Sequence, residues 1–366
     1  MNGILLTGVT GSLGGHLAVA LLRHTQATLY CLVRADSHEQ AHRRLSERLA
    51  ELAPVEGQQR LVAVPAEITR PNLGLTPRMR AELVENIQAV HHCAADVQLT
   101  ATYRQLAPMN LGGTRELLGL AAEVARRAER AVAFHFVSTL GVFLDARRAG
   151  TTMVDETTEP TMDTAGDLGY PRTKVAAERE VGAARDRGIT PVIYRPGVIT
   201  AHSATACTSK TDMLVSLLCV VAVLGAVPES IGTAPLETVD EVARQIAVLS
   251  VSQTEPAPAY HIIRPRPVPL RDAVAALERA GYRLQEMPAD DWRDLLDSHA
   301  THPAVARFTR KGLAGLRLAG LDPGYAVPDF RSDRSWATLH QAGVRPAALD
   351  DAYYDRLVAD LSRQLS

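Results

Sequence analysis

The sequence predicts an α/β fold in which a doubly wound parallel sheet precedes a smaller, mainly helical C-terminal part. Three observations support this prediction. Short apolar runs alternate with amphipathic helical segments through residues 3–197, a pattern typical of the strands and helices of a parallel sheet. A glycine-rich turn joins the first run to the first helical segment. Small or polar residues follow the ends of the apolar runs, at the edge where such sheets bind ligands.

The composition excludes several classes of protein. The chain has 366 residues, of which 46% are apolar, and its 39 basic and 41 acidic residues give a net charge of -2. No nucleic-acid partner held by bulk charge is therefore expected. The cysteines have neither metal-ligand nor redox-pair spacing, which predicts free thiols, no metal site and a reducing cytoplasm. No signal-like leader is present, and the apolar run 213–227 is shorter than the ~20 residues that span a membrane, so no membrane contact is expected.

The first apolar run, residues 3–6, leads into glycines with the spacing Gly8-x-x-Gly11-x-x-Gly14. The residues after them have the apolar spacing of an amphipathic helix. A strand, a glycine turn and a helix direct backbone N–H groups and the positive helix end to one point, which favours a pyrophosphate. This context distinguishes the motif from a plain glycine-rich turn and predicts a Rossmann-type nucleotide-binding domain.

The second strand, predicted over 27–33, is followed directly by Arg34. An acidic residue at this position would bind the ribose 2′-hydroxyl, whereas an arginine accommodates a 2′-phosphate, so the cofactor is predicted to be NADPH. Arg44, on a helix predicted over 37–53, is either a second cation for this phosphate or part of a solvated helix face. Asp36 is an acidic residue in this region, but it lies two residues beyond Arg34.

The third and fourth strands, predicted over 61–65 and 89–93, end in residues suited to a cofactor edge. Glu67-Ile68 follows the third strand and is expected beside the adenine. Ala94-Ala95-Asp96 follows the fourth strand, where small side chains let the backbone approach the cofactor.

A long helix is predicted over 111–130, and a fifth strand over 133–137 ends in Ser138-Thr139. A hydroxyl at this strand end either contacts a substrate carbonyl or caps a turn, as serine and threonine often do.

Tyr170 and Lys174 stand four residues apart at the start of a helix predicted over 171–187, and therefore share one face of it. A free tyrosine has a pKa of about 10, and a nearby cation is expected to lower it. The pair would then act as a general acid for a carbonyl oxygen whose carbon receives a hydride. The alternative is a surface tyrosine beside a solvated lysine.

A sixth strand, predicted over 191–194, is closed by Arg195-Pro196-Gly197, and the alternation of strands and helices ends there. The predicted nucleotide-binding domain therefore covers residues 1–197, with 236–263 returning to its sheet. The predicted substrate-binding part comprises residues 198–235 and 264–366.

These motifs, in this order, resemble the extended short-chain dehydrogenase/reductase superfamily. The matching segments are Gly-x-x-Gly-x-x-Gly, Asn110-Leu111-Gly112-Gly113-Thr114, Tyr170-x-x-x-Lys174 and Arg195-Pro196-Gly197. Within the superfamily, residues 31–35, 136–140, 169–178 and 194–199 are similar to the thioester reductase domains of nonribosomal peptide synthetases and polyketide synthases. The resemblance is good over residues 3–263 and is one of general layout beyond them.

The resemblance implies NADPH-dependent release of an acyl or peptidyl thioester from the phosphopantetheine arm of a carrier protein. The product is an aldehyde, or an alcohol after a second reduction. Thr139 and Tyr170 would bind the substrate oxygen, and Lys174 would bind the nicotinamide ribose and lower the pKa of Tyr170. The pyrophosphate would be held by Gly8, Thr10, Gly11, Ser12, Leu13 and Gly14, and the 2′-phosphate by Arg34 and Arg44. Further cofactor contacts are expected from Glu67, Ile68, Ala94, Ala95, Arg195, Pro196 and Gly197.

Two positions depart from the family pattern. Glu67 stands where an aspartate is usual, and Asp96 where a small or apolar residue is more common. A carboxylate at position 96 would lie near the nicotinamide pocket and alter the choice of substrate. The chain is expected to be either a stand-alone reductase acting in trans or an excised domain.

Two other functions remain open on the sequence. One is an extended reductase or epimerase acting on a free small molecule, such as a nucleotide sugar or a ketone. Its candidate diphosphate ligands are Arg264, Arg266 and Arg271. The other is a redox-inactive relative that only binds NADP, which the presence of Thr139, Tyr170 and Lys174 disfavours.

The route of the substrate is also predicted. The loop containing His202 and Ser203, together with the apolar helix predicted over 212–225, would form one wall of a channel for a carrier-bound substrate. The alternative is that this helix is simply part of the core.

Overall fold

A computed structural model describes residues 3–52, 56–209, 212–252, 257, 259–310 and 327–365. Its centre is a seven-stranded parallel sheet, which confirms the predicted α/β fold. The strands of the described residues are β1 (Gly3–Thr7), β2 (Thr28–Val33), β3 (Leu61–Pro65), β4 (Ile87–His92), β5 (Val132–Val137), β6 (Met153–Val154), β7 (Ile189–Pro196), β8 (Val198–Thr200), β9 (Ala226–Pro228), β10 (Thr233–Ala234), β11 (Leu236–Thr238), β12 (Ala259–Ile262), β13 (Val268–Pro269), β14 (Gln285–Met287) and β15 (Asp329–Phe330).

The strand order of the main sheet is β12-β7-β5-β4-β1-β2-β3. The chain moves outward from β1 in one direction through β2 and β3, and in the other through β4, β5, β7 and β12. The direction therefore reverses between β1 and β4, and a ligand is expected beyond the carboxyl ends of these strands.

Helices cover both faces of the sheet. Those of the described residues are α1 (Ser12–His24), α2 (His38–Ala50), α3 (Pro77–Asn86), α4 (Tyr103–Ala107), α5 (Gly113–Ala128), α6 (Met162–Ala165), α7 (Gly169–Ala183), α8 (Met213–Leu224), α9 (Val239–Ser250), α10 (Leu270–Arg279), α11 (Ala289–Ser298), α12 (Pro303–Thr309), α13 (Asp333–Gln341) and α14 (Asp351–Leu365). Buried residues of α1, α2, α9 and α13 form one core with the sheet, and those of α3, α5 and α7 form another.

Some predicted elements differ from the structure in their bounds. The helix predicted over 111–130 is a π-helical turn, Pro108–Gly112, followed by α5. The helix predicted over 171–187 begins earlier, as α7, and ends in the 3-10 turn Ala184–Arg187. The predicted, mainly helical C-terminal part (198–235 and 264–366) includes residues 311–326, which lie outside the described residues.

The apolar helix α8 is the core of the C-terminal part. Its residues from Leu214 to Val221 are buried, and it packs against α10, α12 and α14. Only its first residue, Met213, lines the large cleft of the molecule. The prediction that this helix forms a wall of the channel is therefore wrong. A helix that is apolar on every side is stable only when it is enclosed. His202 and Ser203 do line the cleft.

The segment that contains β15 and α13 packs on the nucleotide-binding half. β15 pairs with β6, and the Trp336 indole N–H donates to the carbonyl oxygen of Ile263 at 2.8 Å. Trp336 and Leu339 belong to the core beside the main sheet. This packing differs from the predicted division, which places all of residues 264–366 in the substrate-binding part. None of the described helices combines the length and apolarity needed to cross a bilayer.

Candidate active site

A cleft of about 2650 Å³ opens at the carboxyl ends of the sheet strands. It brings together nearly all of the site residues that the sequence predicts. Those lining it are Gly8, Thr10, Gly11, Ser12, Leu13, Gly14, Arg34, Arg44, Glu67, Ile68, Ala94, Ala95, Thr139, Tyr170, Lys174, Pro196 and Gly197. Arg195 is the exception among the predicted residues.

The glycine turn between β1 and α1 is shaped for a pyrophosphate. Gly8 has φ +79°, and a Cβ atom there would lie 2.8 Å from the Ala94 nitrogen. A Cβ atom on Gly14 would lie 2.1 Å from the Gly8 oxygen. Helix α1 begins at Ser12 with no side-chain cap on its first N–H groups. These free donors and the bare backbone fit a dinucleotide, because the helix N-terminus is an anion-binding site.

Substitution of Gly14 by alanine is expected to weaken binding of the nicotinamide dinucleotide roughly tenfold or more. The added Cβ would displace the turn, and each charge-assisted hydrogen bond lost is worth about 1.5–3 kcal/mol. A fluorescence titration of NADPH into the variant measures the effect. Gly119→Ala on α5 is the control, because a Cβ there meets nothing within 4 Å. Equal NADPH affinity in the two variants would contradict the assigned role of the turn.

Arginine side chains cluster beside the carboxyl end of β2. Arg44 on α2 donates a hydrogen bond to the carbonyl oxygen of Arg34, so both arginines lie at one side of the cleft. Arg48, one helical turn further, donates from Nε to the Gly11 oxygen at 3.2 Å. Arg48 is not among the residues predicted from the sequence. The sequence does indicate Arg48 as a candidate, because it lies four residues after Arg44 and residues four apart share a helix face.

Lys174 on α7 is buried and has defined partners. Its Nζ donates to the carbonyl oxygen of Val137 at 2.7 Å and lies 4.5 Å from the centre of the Phe136 ring. Burial lowers the pKa of Lys174 to about 8, so the ammonium form still predominates at neutral pH. The carbonyl and the ring face compensate part of the cost of burying this charge.

Tyr170 lies one turn before Lys174, at the N-terminal end of α7, and lines the same cleft. Burial raises the pKa of Tyr170 above its usual value. The expectation that Lys174 lowers this pKa is therefore wrong, because the loss of phenolate solvation dominates. The consequence is that Tyr170 holds its proton at neutral pH and can donate it.

The two hydroxyls after β5 have different roles. Ser138 Oγ donates to the Glu178 carboxylate and is buried. Thr139 Oγ1 accepts from the Gly141 N–H at 3.0 Å and thereby caps the 3-10 turn Leu140–Phe143. The turn uses Thr139 as an acceptor, so its hydroxyl hydrogen remains available to a ligand in the cleft.

Arg195 is a correction to the predicted cofactor contacts. Its side chain is buried in an ion pair with Glu178, with Nη2 2.8 Å from Oε2. Nη1 donates to the carbonyl oxygen of Thr158 at 3.1 Å, and the guanidinium lies over the Phe143 ring, 5.1 Å from its centre. Arg195 therefore fastens α7, which carries Tyr170, to strand β7, and does not line the cleft.

A buried amide connects the end of β4 to the same helix. Asn110 Oδ1 accepts from the Asp96 N–H at 2.8 Å, and Nδ2 donates to the Asp96 carbonyl oxygen at 2.9 Å. Nδ2 also donates to Thr173 Oγ1 at 3.0 Å, and that hydroxyl donates to the Tyr170 carbonyl oxygen at 2.7 Å. Asn110 lies in the π-helical turn, a distortion that is frequent at functional sites.

The buried His92 side chain links the carboxyl ends of β1 and β4 through hydrogen bonds. Burial lowers its pKa to about 3, so the ring is neutral. The Thr114 hydroxyl already donates to the Asn110 carbonyl oxygen at 2.7 Å, so it accepts from His92 Nε2 at 3.0 Å. The other ring nitrogen then accepts from the Thr7 hydroxyl at 2.9 Å. Thr7 in turn accepts from the Cys93 N–H, which holds the backbone that approaches Gly8.

Glu67 and Ile68 line the cleft beyond β3, and the Glu67 carboxylate accepts from the Thr69 hydroxyl at 3.0 Å. Within the described residues, no group of three or more His, Cys, Asp or Glu side chains is arranged to hold a metal ion. The groups that the cleft offers to a substrate include the hydroxyl of Thr139, the phenol of Tyr170 and the ammonium of Lys174.

Several solved structures share this fold over all of the chain, and they differ widely in sequence identity. The terminal R domain from the myxalamid PKS-NRPS biosynthetic pathway has a TM-score of 0.87 and 29% identity, covering 100% of this chain and 92% of that one. UDP-glucuronic acid 4-epimerase from Bacillus cereus, in complex with NAD, has a TM-score of 0.65 and 14% identity, covering 100% of both chains. The second likeness shows the fold alone.

Two curated relatives are much longer than this chain. Isonitrile lipopeptide synthase of Streptomyces coeruleorubidus is 35% identical over 358 residues, which is 95% of this chain and 23% of the relative. A linear gramicidin synthase of Brevibacillus parabrevis is 28% identical over 361 residues, which is 98% of this chain and 7% of the relative. The chain thus spans less than a quarter of either relative.

The family model described as male sterility protein, an NAD-binding domain, matches residues 6–246. This range holds the glycine turn, Thr139, Tyr170 and Lys174. The chain therefore belongs to the male sterility protein family of NAD-binding domains and has the site of an NAD(P)H-dependent oxidoreductase.

Proposed function

We propose that the chain is an NADPH-dependent thioester reductase. Its substrate is an acyl or peptidyl thioester on the phosphopantetheine arm of a carrier protein, and its product is an aldehyde or, after a second reduction, an alcohol. The main observation that supports the proposal is that Thr139, Tyr170 and Lys174 line the same cleft as the pyrophosphate turn. Similarity over the whole chain to the terminal R domain of a synthase pathway supports the substrate class.

The residues of the cleft divide the work of reduction. NADPH, when bound, supplies a hydride to the thioester carbon. Tyr170 and Thr139 donate hydrogen bonds to the substrate oxygen, and Tyr170 gives that oxygen its proton as negative charge develops there. Lys174, held by the Val137 carbonyl, binds the ribose and keeps a positive charge beside the phenol. The thiohemiacetal then returns its hydroxyl proton to the Tyr170 phenolate as the C–S bond breaks. The leaving thiolate takes a proton from solvent, which leaves an aldehyde and a free thiol.

The proposed cofactor is NADPH because Arg34 and Arg44 flank the end of β2. Replacement of Arg34 by alanine is expected to weaken NADPH binding roughly tenfold to a hundredfold and to leave NADH binding nearly unchanged, because one charge-assisted hydrogen bond is worth about 1.5–3 kcal/mol. Titration of both cofactors into each protein measures this. Arg43→Ala, an exposed neighbour on α2 outside the cleft lining, is the control. Equal affinity of the wild type for the two cofactors would refute the proposal.

A single assay tests the proposed reaction. The protein is mixed with NADPH and an acyl-pantetheine thioester, and loss of NADPH absorbance is followed together with trapping of the aldehyde. Stoichiometric formation of aldehyde and free thiol is the expected result. NADPH binding without consumption would favour a redox-inactive protein, and turnover of a ketone but not of the thioester would favour a small-molecule reductase.

The epimerase alternative receives little support from the candidate diphosphate ligands. Arg264 pairs with the buried Glu237, with Nη1 3.1 Å from Oε1, and Arg271 pairs with Glu286. Neither of these residues nor Arg266 lines the cleft. A nucleotide-sugar diphosphate in the cleft would therefore lack the cations proposed for it.

A further inference from the structure

Asp96 places a carboxylate in the cleft. It follows Ala94 and Ala95 at the carboxyl end of β4 and lines the same cleft as Tyr170. Its Oδ1 accepts from the Gln98 N–H at 3.1 Å, and its Oδ2 is 3.4 Å from the Gln98 side-chain nitrogen. Among the ion pairs of the described chain, none includes Asp96. A carboxylate can accept about four hydrogen bonds, so part of its capacity remains open.

Buried hydrogen bonds link the backbone of Asp96 to the backbone of Tyr170. The Asn110 amide binds both the N–H and the carbonyl oxygen of Asp96, at 2.8 and 2.9 Å. The same amide binds Thr173, which in turn binds the Tyr170 backbone at 2.7 Å. Asn110 and Thr173 are almost completely buried, at 1% and 0% exposure. The backbone that carries this carboxylate is therefore held to α7 through buried hydrogen bonds.

A substrate that fills the cleft must displace water from this carboxylate. An apolar acyl chain would leave the charge desolvated and uncompensated, which is costly. An acyl chain that carries an ammonium group would supply both the opposite charge and hydrogen-bond donors. The charge of Asp96 thus favours one class of acyl group over its neutral isostere.

We propose that Asp96 is a specificity-determining residue that binds an ammonium group on the acyl chain, so that the preferred substrates are thioesters with a free amine near the reacting carbonyl. This inference rests on the proposed thioester reduction. It goes beyond that proposal by naming the chemical class of the acyl group.

The test uses pairs of pantetheine thioesters that differ by one group. β-Alanyl and butyryl thioesters exchange an ammonium for a methyl at the chain end, and L-alanyl and isobutyryl thioesters do so at the α-carbon. The wild type is expected to favour the cationic member of at least one pair in kcat/KM by roughly tenfold to a hundredfold, the range for one charge-assisted hydrogen bond. Asp96→Asn should lose this preference, with kcat/KM falling for the cationic member of the pair and not falling for the neutral member, which no longer leaves a charge desolvated.

The asparagine variant is chosen because it removes the charge and keeps the Oδ1 acceptor for the Gln98 N–H. The Oδ2 acceptor that it loses has only the long 3.4 Å contact with the side-chain nitrogen of the exposed Gln98. Its NADPH affinity and thermal unfolding serve as controls and should match those of the wild type. If Asp96 only shapes the turn, Asp96→Asn leaves the ratio of the paired substrates unchanged, and the proposal is overturned. Absence of a charge preference in the wild type overturns it as well. No NADPH consumption with any of the four thioesters would instead overturn the proposed function, and this inference with it.

Discussion

Replacement of Tyr170 by phenylalanine is expected to lower the turnover of thioester by about 10²–10⁴-fold, the usual contribution of general acid catalysis. The variant keeps the aromatic ring that lines the cleft and loses the phenolic proton. Because burial raises the pKa of Tyr170, the wild-type phenol is neutral at working pH and is a donor. Its loss leaves the developing charge on the substrate oxygen with the Thr139 hydroxyl as the remaining proposed donor.

The measurement is a steady-state assay of NADPH consumption, with the NADPH dissociation constant determined separately. The affinity for NADPH is expected to stay within about threefold, because Lys174 remains bound to Val137 and the glycine turn is untouched. Tyr103→Phe on α4, outside the cleft lining, is the matched control and should have wild-type kinetics. Near-wild-type turnover of Tyr170→Phe would remove the phenol from the mechanism.

The second large effect is on stability. Arg195→Met would leave the Glu178 carboxylate buried with Ser138 as its remaining side-chain partner. Breaking a buried pair by removing one member costs about 3–5 kcal/mol, because the other charge stays uncompensated. We therefore expect a drop of this size in the free energy of unfolding, measured with denaturant.

Two further variants separate the ion pair from other causes. The double variant Arg195→Met/Glu178→Leu removes both charges and should recover much of the lost stability. Arg127→Met breaks an exposed pair with Glu85 and should cost no more than about 1 kcal/mol. If Arg195 contacts the cofactor instead, Arg195→Met will weaken NADPH binding and leave the unfolding free energy unchanged.

The fold could be predicted because its signals are local. The glycine spacing between β1 and α1 and the run Leu61–Pro65 need no tertiary information, and the pair Tyr170 and Lys174 is defined by helix geometry alone. The clustering of site residues at the carboxyl ends of the strands followed from the general rule that parallel sheets bind ligands at that edge.

The errors concern properties that depend on distant partners. Arg195 lies near the end of β7. The sequence does not tell whether its side chain turns to the cleft or, as observed, to Glu178 on α7. The pKa of Tyr170 depends on how deeply α7 is buried. The Asn110 amide joins Thr173, 63 positions away. Such contacts arise only when helices from separate parts of the chain pack together.

The packing of β15 and α13 on the nucleotide-binding half has a consequence for synthesis of the chain. Residues Met153–Val154 pair with Asp329–Phe330, and Ile263 binds Trp336. A ribosome adds about 5–20 residues per second, so the earlier segments wait on the order of ten seconds for these partners to emerge. During that interval the nascent sheet exposes an apolar face that chaperones or other nascent chains can bind. The nucleotide-binding half therefore completes its packing only after its own residues have been translated.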